Sequence, residues 1–327
     1  NSLMKESFKN LIKAVAVTGL MVGGGTDAKS QIQSPVKTEQ SEVKKIENPR
    51  LAEMSDANMP DGFDRQHLYA KINGIEQNIG SVFYLQPGSK ARFISNDYHP
   101  DCIGDKPDFE AVENLVQRDG EKMVITFAGA YRSPSGNIEG IAYENGKSVG
   151  ESTYSKWHGF VYMTSDGDLE LSRMKDSQGN FNQAGADALV IRAKREGGSL
   201  YQQIPAIWNG EQKLKSSDQG TYEMRAICEG KNGEKFVINC AERMTQDQFL
   251  KMCLSLKDKN GNPAVYNLML TDTGVCSLGA FRDKNQIAEY QNSGAVDFNE
   301  EGRYYHKMND EKFKQTGFTN LVVLSQF

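Results

Sequence analysis

The sequence predicts an α+β fold: a single domain with a mixed, largely antiparallel sheet and a few packed helices. Short apolar segments rich in strand formers recur along most of the chain, separated by Asn-Gly, Asp-Gly and Pro-Gly pairs that favour hairpin turns. Two segments show the apolar spacing of amphipathic helices, at residues 107–117 and after Thr245. Many hairpins with few helices indicate antiparallel pairing rather than alternating β-α units.

Length and charge limit the possible functions. A chain of 327 residues can hold one large or two small domains, and its composition divides it into residues 1–30, 31–65 and 66–327. The formal net charge is −5, and the third region has no basic cluster with interleaved aromatic residues. Because nucleic-acid binding needs a basic surface, we expect no nucleic-acid partner.

The first two regions differ from the rest of the chain. Residues 1–30 combine a charged start, an apolar stretch broken by Lys13 and small residues at an A-x-S site, which is typical of an export signal. The stretch is too short and too rich in glycine for a stable membrane span, so we expect a periplasmic, cell-surface or extracellular protein. The alternative is an amphipathic N-terminal helix of a cytoplasmic protein. Residues 31–65 lack apolar periodicity and are predicted to be a disordered polar linker.

The first half of the domain is predicted to consist mainly of hairpins. Strands are expected at 67–73 and 80–85, and the turn at 86–89 is expected to pair the second of these with 90–95. A helix at 107–117, capped by Asp105 or Asp108, precedes a strand at 123–127. Two further hairpins are expected around Asn145-Gly146 and around Asp166-Gly167.

The hairpin of residues 222–241 sets the environment of Arg225. If Asn232-Gly233 forms a two-residue turn, Arg225 lies opposite Cys240 and shares a face with Ile227, Phe236 and Ile238. The same register places Cys228 opposite Val237, so a disulfide between Cys228 and Cys240 is not favoured. The chain has five cysteines, and an odd number leaves at least one free thiol or an intermolecular bond.

The last part of the chain places an aspartate at the end of a strand. Thr245 and Gln248 form a capping box that starts a helix, which ends in basic residues before Gly261. A strand at 264–270 follows, and strand, helix and strand in this order predict a crossover with Asp272 at the carboxyl end. A strand at 318–324 closes the chain.

Asp272 and Arg225 are the main candidates for chemistry. Asp272 lies in a glycine-containing loop after a buried strand, where α/β architectures often place functional residues, although a turn aspartate bonded to its own backbone is the plainer alternative. Arg225 lies on an apolar face and needs an anionic partner, because an unpaired buried charge is costly. That partner is either Asp272 or a phosphate or carboxylate of a ligand. No set of residues has metal-ligand spacing and no cofactor-binding motif is present, so we expect neither a metal nor a cofactor.

Several segments, taken in order, resemble the phosphodiester glycosidase family. They are Phe127-Ala128-Gly129-Ala130-Tyr131, Asn137–Lys147, Gly159–Leu171, Gln202-Gln203-Ile204-Pro205, Met224-Arg225-Ala226-Ile227, the helix after Met244-Thr245, Leu270-Thr271-Asp272-Thr273-Gly274 and Cys276-Ser277. The resemblance spans residues 81–278. It implies hydrolysis of a sugar-1-phosphodiester, or of a related glycosidic bond in a glycoconjugate.

The resemblance also implies roles for individual residues. Asp272 would act as acid or base or stabilise positive charge at the acetal carbon, and Arg225 would hold the phosphate. The other expected ligand contacts are Gly129, Tyr131, His158, Gln202, Gly274 and Ser277. Phe127 stands where the family has asparagine, and this departure favours an alternative: a non-catalytic envelope protein that binds a carbohydrate or phosphosugar on the same fold.

Overall fold

Three antiparallel sheets and three helices make up the described part of the chain. The computed structural model describes residues 44–53, 64–104, 107–133, 136–216, 219–272, 279–283, 286–290 and 319–327. The helices are α1 (Phe109–Gln117), α2 (Gln183–Glu196) and α3 (Gln246–Ser255). The strands are β1 (Ile46–Glu53), β2 (Asp64–Ile72), β3 (Ile75–Tyr84), β4 (Lys90–Ser95), β5 (Lys122–Phe127), β6 (Ala142–Glu144), β7 (Lys147–Ser148), β8 (Gly159–Met163), β9 (Leu169–Arg173), β10 (Ser199–Gln203), β11 (Pro205–Trp208), β12 (Glu211–Gln212), β13 (Tyr222–Glu229), β14 (Lys235–Met244), β15 (Asn267–Leu270), β16 (Gly279–Asp283), β17 (Gln286–Tyr290) and β18 (Asn320–Gln326).

The strand order defines a large central sheet and two smaller ones. The central sheet has the order β1-β2-β3-β14-β13-β15-β11-β12, the second sheet β7-β6-β10-β8-β9 and the third sheet β17-β16-β5-β18-β4. Every pairing between these named strands is antiparallel. The described residues form one compact unit, so the predicted α+β class and single domain are confirmed.

The buried apolar residues show how the layers stack. One face of the central sheet packs against α3, and the other face packs against the second and third sheets. Helix α2 covers the outer face of the second sheet, and α1 covers the outer face of the third. The burial pattern therefore gives a helix, sheet, sheet, helix order, with the central sheet buried on both faces. No helix within the described ranges combines the length and apolarity that crossing a bilayer requires.

Both helices expected from the sequence are present with their caps. Asp108 caps α1, accepting a hydrogen bond from the N–H of Ala111 at 3.0 Å. Thr245 and Gln248 form the predicted capping box at α3, with bonds of 2.9 and 3.2 Å. Helix α2 was not predicted, because the residues it buries are mainly small and give a weak apolar pattern.

Strand β1 lies inside the range predicted to be a disordered linker. Ile46–Glu53 pairs along β2, and its half-buried Ile46 and Leu51 pack against the core under α3. This strand is therefore a correction to the predicted start of structure near Gln66. The polar composition of the segment hid it, because its stability comes from a neighbouring strand. Residues 1–43 and 54–63 lie outside the described residues.

The turn at residues 86–89 forms, but the hairpin predicted around it does not. The N–H of Ser89 donates to the carbonyl of Gln86 at 2.9 Å. Strand β3 belongs to the central sheet, whereas β4 pairs with β18 in the third sheet. A turn sequence specifies a local reversal of the chain, but the pairing partner is chosen by burial across the whole domain.

The register between β13 and β14 differs by one residue from the prediction. The N–H of Gly230 donates to the carbonyl of Glu234 at 2.8 Å, so the loop has three residues and ends at Gly233, whose φ is +93°. Arg225 consequently lies opposite Asn239 rather than Cys240. Because one residue of slip exchanges the faces of a strand, Arg225 points towards the second and third sheets.

The predicted crossover between the last strands of the central sheet is confirmed. Strands β14 and β15 each pair antiparallel with β13, so they run parallel to each other and α3 connects them as a crossover. Cys228 and Cys240 are buried free thiols, as are Cys102 and Cys253. Cys276 lies outside the described residues.

Candidate functional site

Asp272 lies two residues beyond the end of β15 and is half-buried. Its N–H donates to the carbonyl of Gly129 at 3.1 Å, and the N–H of the preceding Thr271 donates to the carbonyl of Arg225 at 3.1 Å. The loop that carries Asp272 is therefore attached to β13 on one side and to the segment after β5 on the other. Three residues chosen from the sequence, Gly129, Arg225 and Asp272, thus lie in one region.

A second carboxylate shares this region with Asp272. Glu139 pairs through its N–H with the carbonyl of Tyr131 at 2.8 Å. Burial raises the pKa of the Tyr131 hydroxyl, and the negative charges of Asp272 and Glu139 raise it further. The charges of both carboxylates thus influence the same phenol. Sequence reasoning did not select Glu139, since nothing in its own segment marks it as a site residue.

The environment of Glu139 disfavours its ionised form. Burial raises the pKa of the Glu139 carboxyl, and the nearby charge of Glu151 acts in the same direction. Lys156 opposes this shift by favouring the carboxylate. A carboxyl group with a raised pKa in a partly buried region is a candidate for acid–base catalysis.

Two aromatic side chains line the same region. The rings of Tyr131 and Trp157 have centroids 6.3 Å apart at an interplanar angle of 39°, and both residues are half-buried. The Nζ of Lys156 lies 4.5 Å from the centroid of the Trp157 ring. Such aromatic surfaces present an apolar face next to polar groups, which suits the mixed C–H and O–H surface of a sugar ring.

A buried asparagine at the start of β18 holds the segment that contacts Asp272. The Oδ1 of Asn320 accepts from the N–H groups of Gly129 and Ala130 at 3.1 and 2.9 Å. Its Nδ2 donates to the carbonyl of Ala130 at 3.1 Å. Asn320 is 1% exposed, so it has been taken out of water to bind main chain about 190 residues away in sequence.

Two neighbouring glutamines of β10, Gln202 and Gln203, hold main-chain groups on opposite faces of the strand. Gln203 donates through Nε2 to the carbonyl of Gly129 at 2.8 Å, alongside the N–H of Asp272. Gln202 accepts from the N–H groups of Ile141 and Ser155 and donates to the carbonyl of Trp157 at 2.7 Å. Successive side chains of a strand point to opposite faces, which explains the two targets. Gln202, expected to contact a ligand, instead fixes the loop that carries Trp157.

Gly129 is required for packing. A Cβ added there would lie 2.5 Å from Cγ2 of Val322 and 3.0 Å from the hydroxyl of Tyr201. Its N–H is bonded to Asn320, and its carbonyl accepts from both Asp272 and Gln203. The expectation that the Gly129 amide approaches a ligand is therefore corrected, because that donor is already used inside the protein.

Arg225 is completely buried, at 0% exposure. Its Nε donates to Oδ1 of Asn239 at 3.0 Å, and its guanidinium carbon lies 5.2 Å from the centroid of the Phe127 ring. The side chain thus reaches from the central sheet to the third sheet beneath the site. In this conformation it does not reach solvent, which does not fit the expectation that it binds a ligand phosphate directly.

The remaining predicted residues are not brought to Asp272 by the described structure. The ring of His158 lies 5.3 Å from that of Phe181, and burial, with the charges of Lys175 and Arg173, lowers its pKa. Gly274 and Ser277 lie outside the described residues. Among the residues that the structure describes, no group of three or more His, Cys, Asp or Glu side chains is arranged to hold a metal ion.

Comparisons with known proteins give distant structural similarity only. No protein-family model matches the sequence, and no curated protein matches it significantly. The catalytic domain of zebrafish N-acetylglucosamine-1-phosphodiester α-N-acetylglucosaminidase, auto-inhibited by its pro-peptide, superimposes with a TM-score of 0.41 at 12% identity, over 90% of this chain and 87% of that one. A hypothetical protein from Synechocystis gives 0.40 at 10% identity, over 86% and 68%. Similarity this weak transfers no function.

Proposed function

We propose that this protein hydrolyses a sugar-1-phosphodiester, or a related glycosidic bond of a glycoconjugate, at the site formed by Asp272 and Glu139. The observation that carries the proposal is the main-chain attachment of the two residues to one short segment: the N–H of Asp272 donates to the carbonyl of Gly129 at 3.1 Å, and the N–H of Glu139 donates to that of Tyr131 at 2.8 Å. Carbohydrate hydrolysis commonly uses a carboxylate pair with different proton affinities, and the half-buried Trp157 adds a surface for the sugar ring. The sequence resemblance to phosphodiester glycosidases supports the same reaction, and the predicted export signal supports a substrate in the cell envelope or outside the cell.

The two carboxylates have different roles in this reaction. The phosphate monoester released from a sugar-1-phosphodiester is a good leaving group, so the attacking water needs more assistance than the departing phosphate does. Glu139, whose pKa is raised, accepts a proton from the attacking water. At the same time the water oxygen forms a bond to the acetal carbon of the sugar. The bond from that carbon to the phosphate oxygen breaks, and the phosphate leaves with the electron pair. Asp272 stabilises the positive charge that develops on the sugar.

The direct test is a carboxylate-to-amide substitution. We expect Asp272→Asn to lower the rate of sugar release from the methyl phosphodiester of N-acetylglucosamine 1-phosphate by about 100-fold or more, because it removes the stabilising charge. The measurement is a reducing-sugar assay on the intact chain. Asp166→Asn is the matched control, since Asp166 is exposed in the hairpin between β8 and β9. Equal rates in wild type and Asp272→Asn would remove the assignment.

The pH profile tests Glu139 separately. A general base is active when ionised, so activity should rise with pH through the raised pKa of Glu139 and level off above it. In Glu139→Gln we expect the rate to fall about 100-fold and the acidic limb of the profile to disappear. An unchanged acidic limb in this variant would show that another group takes the proton.

A binding protein is the second candidate function. The complete burial of Arg225 favours it, as does Phe127 in place of the family asparagine, because both leave fewer polar groups for catalysis. In that case N-acetylglucosamine 1-phosphate should raise the melting temperature of the protein without any turnover of the phosphodiester. Binding with turnover supports the hydrolase.

A further inference from the structure

A cleft of about 970 Å³ lies at the end of the central sheet opposite to Asp272. Tyr266, on its wall, is followed by β15, which leads to Asp272 at the other end. Six residues of extended chain span roughly 20 Å. The cleft is therefore distinct from the carboxylate site, and no residue assigned a function above lines it.

Three neighbouring strands supply one side of the cleft. Tyr84 is the register partner of both Asp64 on β2 and Phe236 on β14, so the three side chains stand in a row on one face. The rings of Tyr84 and Phe236 have centroids 5.2 Å apart. Burial, with a smaller contribution from the charge of Asp64, raises the pKa of Tyr84 to about 12, so its hydroxyl stays protonated and able to donate.

The walls combine apolar packing with a firmly held loop. Leu51 from β1 and Leu254 from α3 contribute apolar surface that continues into the core under the helix. After α3, Oδ1 of Asp258 accepts from the N–H groups of Asn260 and Asn262, both at 2.8 Å. These bonds fix the loop that forms one edge of the cleft.

The rim is polar and nearly balanced in charge. Three lysines and four acidic residues line the cleft, together with amide side chains; the charged residues are Lys231, Lys257, Lys259, Glu53, Asp64, Glu234 and Asp258. The near balance disfavours a strongly anionic or cationic ligand. It suits a neutral ligand with many groups that both donate and accept hydrogen bonds.

We propose that this cleft binds a neutral oligosaccharide of about three sugar rings, with one ring against Tyr84 and its hydroxyls bonded to the rim. The volume falls within the range of pockets that enclose ligands of this size. A half-buried aromatic ring offers the apolar face of a sugar a complementary surface, while carboxylate, amide and ammonium groups satisfy its hydroxyls. Binding here does not require hydrolysis at Asp272.

Calorimetric titration of the whole chain tests the cleft with three neutral trisaccharides: maltotriose, cellotriose and chitotriose. We expect at least one to bind at a single site, and Tyr84→Ala to raise its dissociation constant about tenfold. Asn232→Ala should raise it several-fold; because Asn232 is exposed on a hairpin, this variant keeps the test valid if Tyr84→Ala does not fold. Tyr98→Ala, at an exposed tyrosine outside the cleft, is the control with no expected change.

Three results would overturn the proposal. The first is no heat of binding from any of the three sugars at millimolar concentration. The second is binding that is unchanged in both Tyr84→Ala and Asn232→Ala. The third is binding that is lost in Asp272→Asn, which would place the sugar at the carboxylate site. Conversely, binding retained in an inactive Asp272→Asn protein supports the cleft as a separate site, whether or not the hydrolase assignment holds.

Discussion

The two ends of the central sheet use polar side chains in opposite ways. Near Asp272, the buried amides of Asn320 on β18 and Gln203 on β10 bond to the main chain at Gly129, which follows β5. At the Tyr84 cleft, Asp258 bonds within its own loop, and most rim side chains face solvent. The polar side chains at the first end thus bond between segments that are distant in sequence, whereas those at the second end bond within one loop or remain available to a ligand. Single substitutions should therefore be costly at the first end and mild at the second.

The largest effect on stability is expected at Asn320. Asn320→Ala removes the acceptor for two buried N–H groups and the donor to one carbonyl, and should lower the free energy of unfolding by about 3 kcal/mol. Urea denaturation measures this change. Asn180→Ala is the control, because Asn180 is exposed in a loop. This substitution should change the free energy of unfolding by no more than about 0.5 kcal/mol. Similar midpoints for the two variants would contradict the contrast between the ends.

A pair of glycine substitutions gives a smaller contrast of the same kind. Gly129→Ala places a methyl group 2.5 Å from Val322 in a packed interior and should cost about 2 kcal/mol. In Gly230→Ala the added methyl group would lie 2.5 Å from the carboxylate of Glu234. That carboxylate is the far end of an exposed side chain, so it can move away. We expect little change there. Thermal unfolding of both variants measures the difference in stability. An equal loss of stability in the two variants would show that the distance of the clash alone sets the cost.

The smallest effect is expected from the pH dependence of the cleft. Burial raises the pKa of Asp64 above its value in the unfolded chain, so the folded state binds the proton more tightly. Ionisation of Asp64 therefore lowers stability as the pH rises from the unfolded pKa through the folded one. Asp64→Asn cannot ionise, so its stability relative to wild type should increase over this pH interval. The test is to measure the urea midpoints of wild type and Asp64→Asn from pH 3 to 7, a range that brackets the ordinary carboxyl pKa near 4. A difference in midpoint that stays constant with pH would count against a raised pKa of Asp64.

The local features of the fold could be predicted from the sequence because their causes are local. The caps at Asp108 and Thr245 and the tight turn at Asn145-Gly146 depend on residues a few positions apart. Strand β15 and the crossover that brings the chain to Asp272 followed from hydrophobic pattern and helix signals. The prediction of the β13–β14 turn was wrong because a three-residue loop ending at Gly233 satisfies the same turn sequence as a two-residue one.

The site itself depended on contacts that the sequence does not encode locally. The structure attaches the predicted Asp272 to Gly129, and the role of Asp272 stays a prediction. Glu139 and Asn320 were missed, since their partners lie in other segments of the chain. Strand β1 was missed for the same reason, because it forms against β2 rather than by its own propensity.

The sequence by itself determined the α+β class, most turns, the two strongly capped helices and the placement of an aspartate after a buried strand. Only the tertiary structure decided which face Arg225 occupies, that Glu139 and Asp272 are attached to the same segment after β5, and where an open cleft remains. The physical reason is that turns and caps depend on neighbouring residues, whereas burial and pKa values depend on every segment that packs around a group.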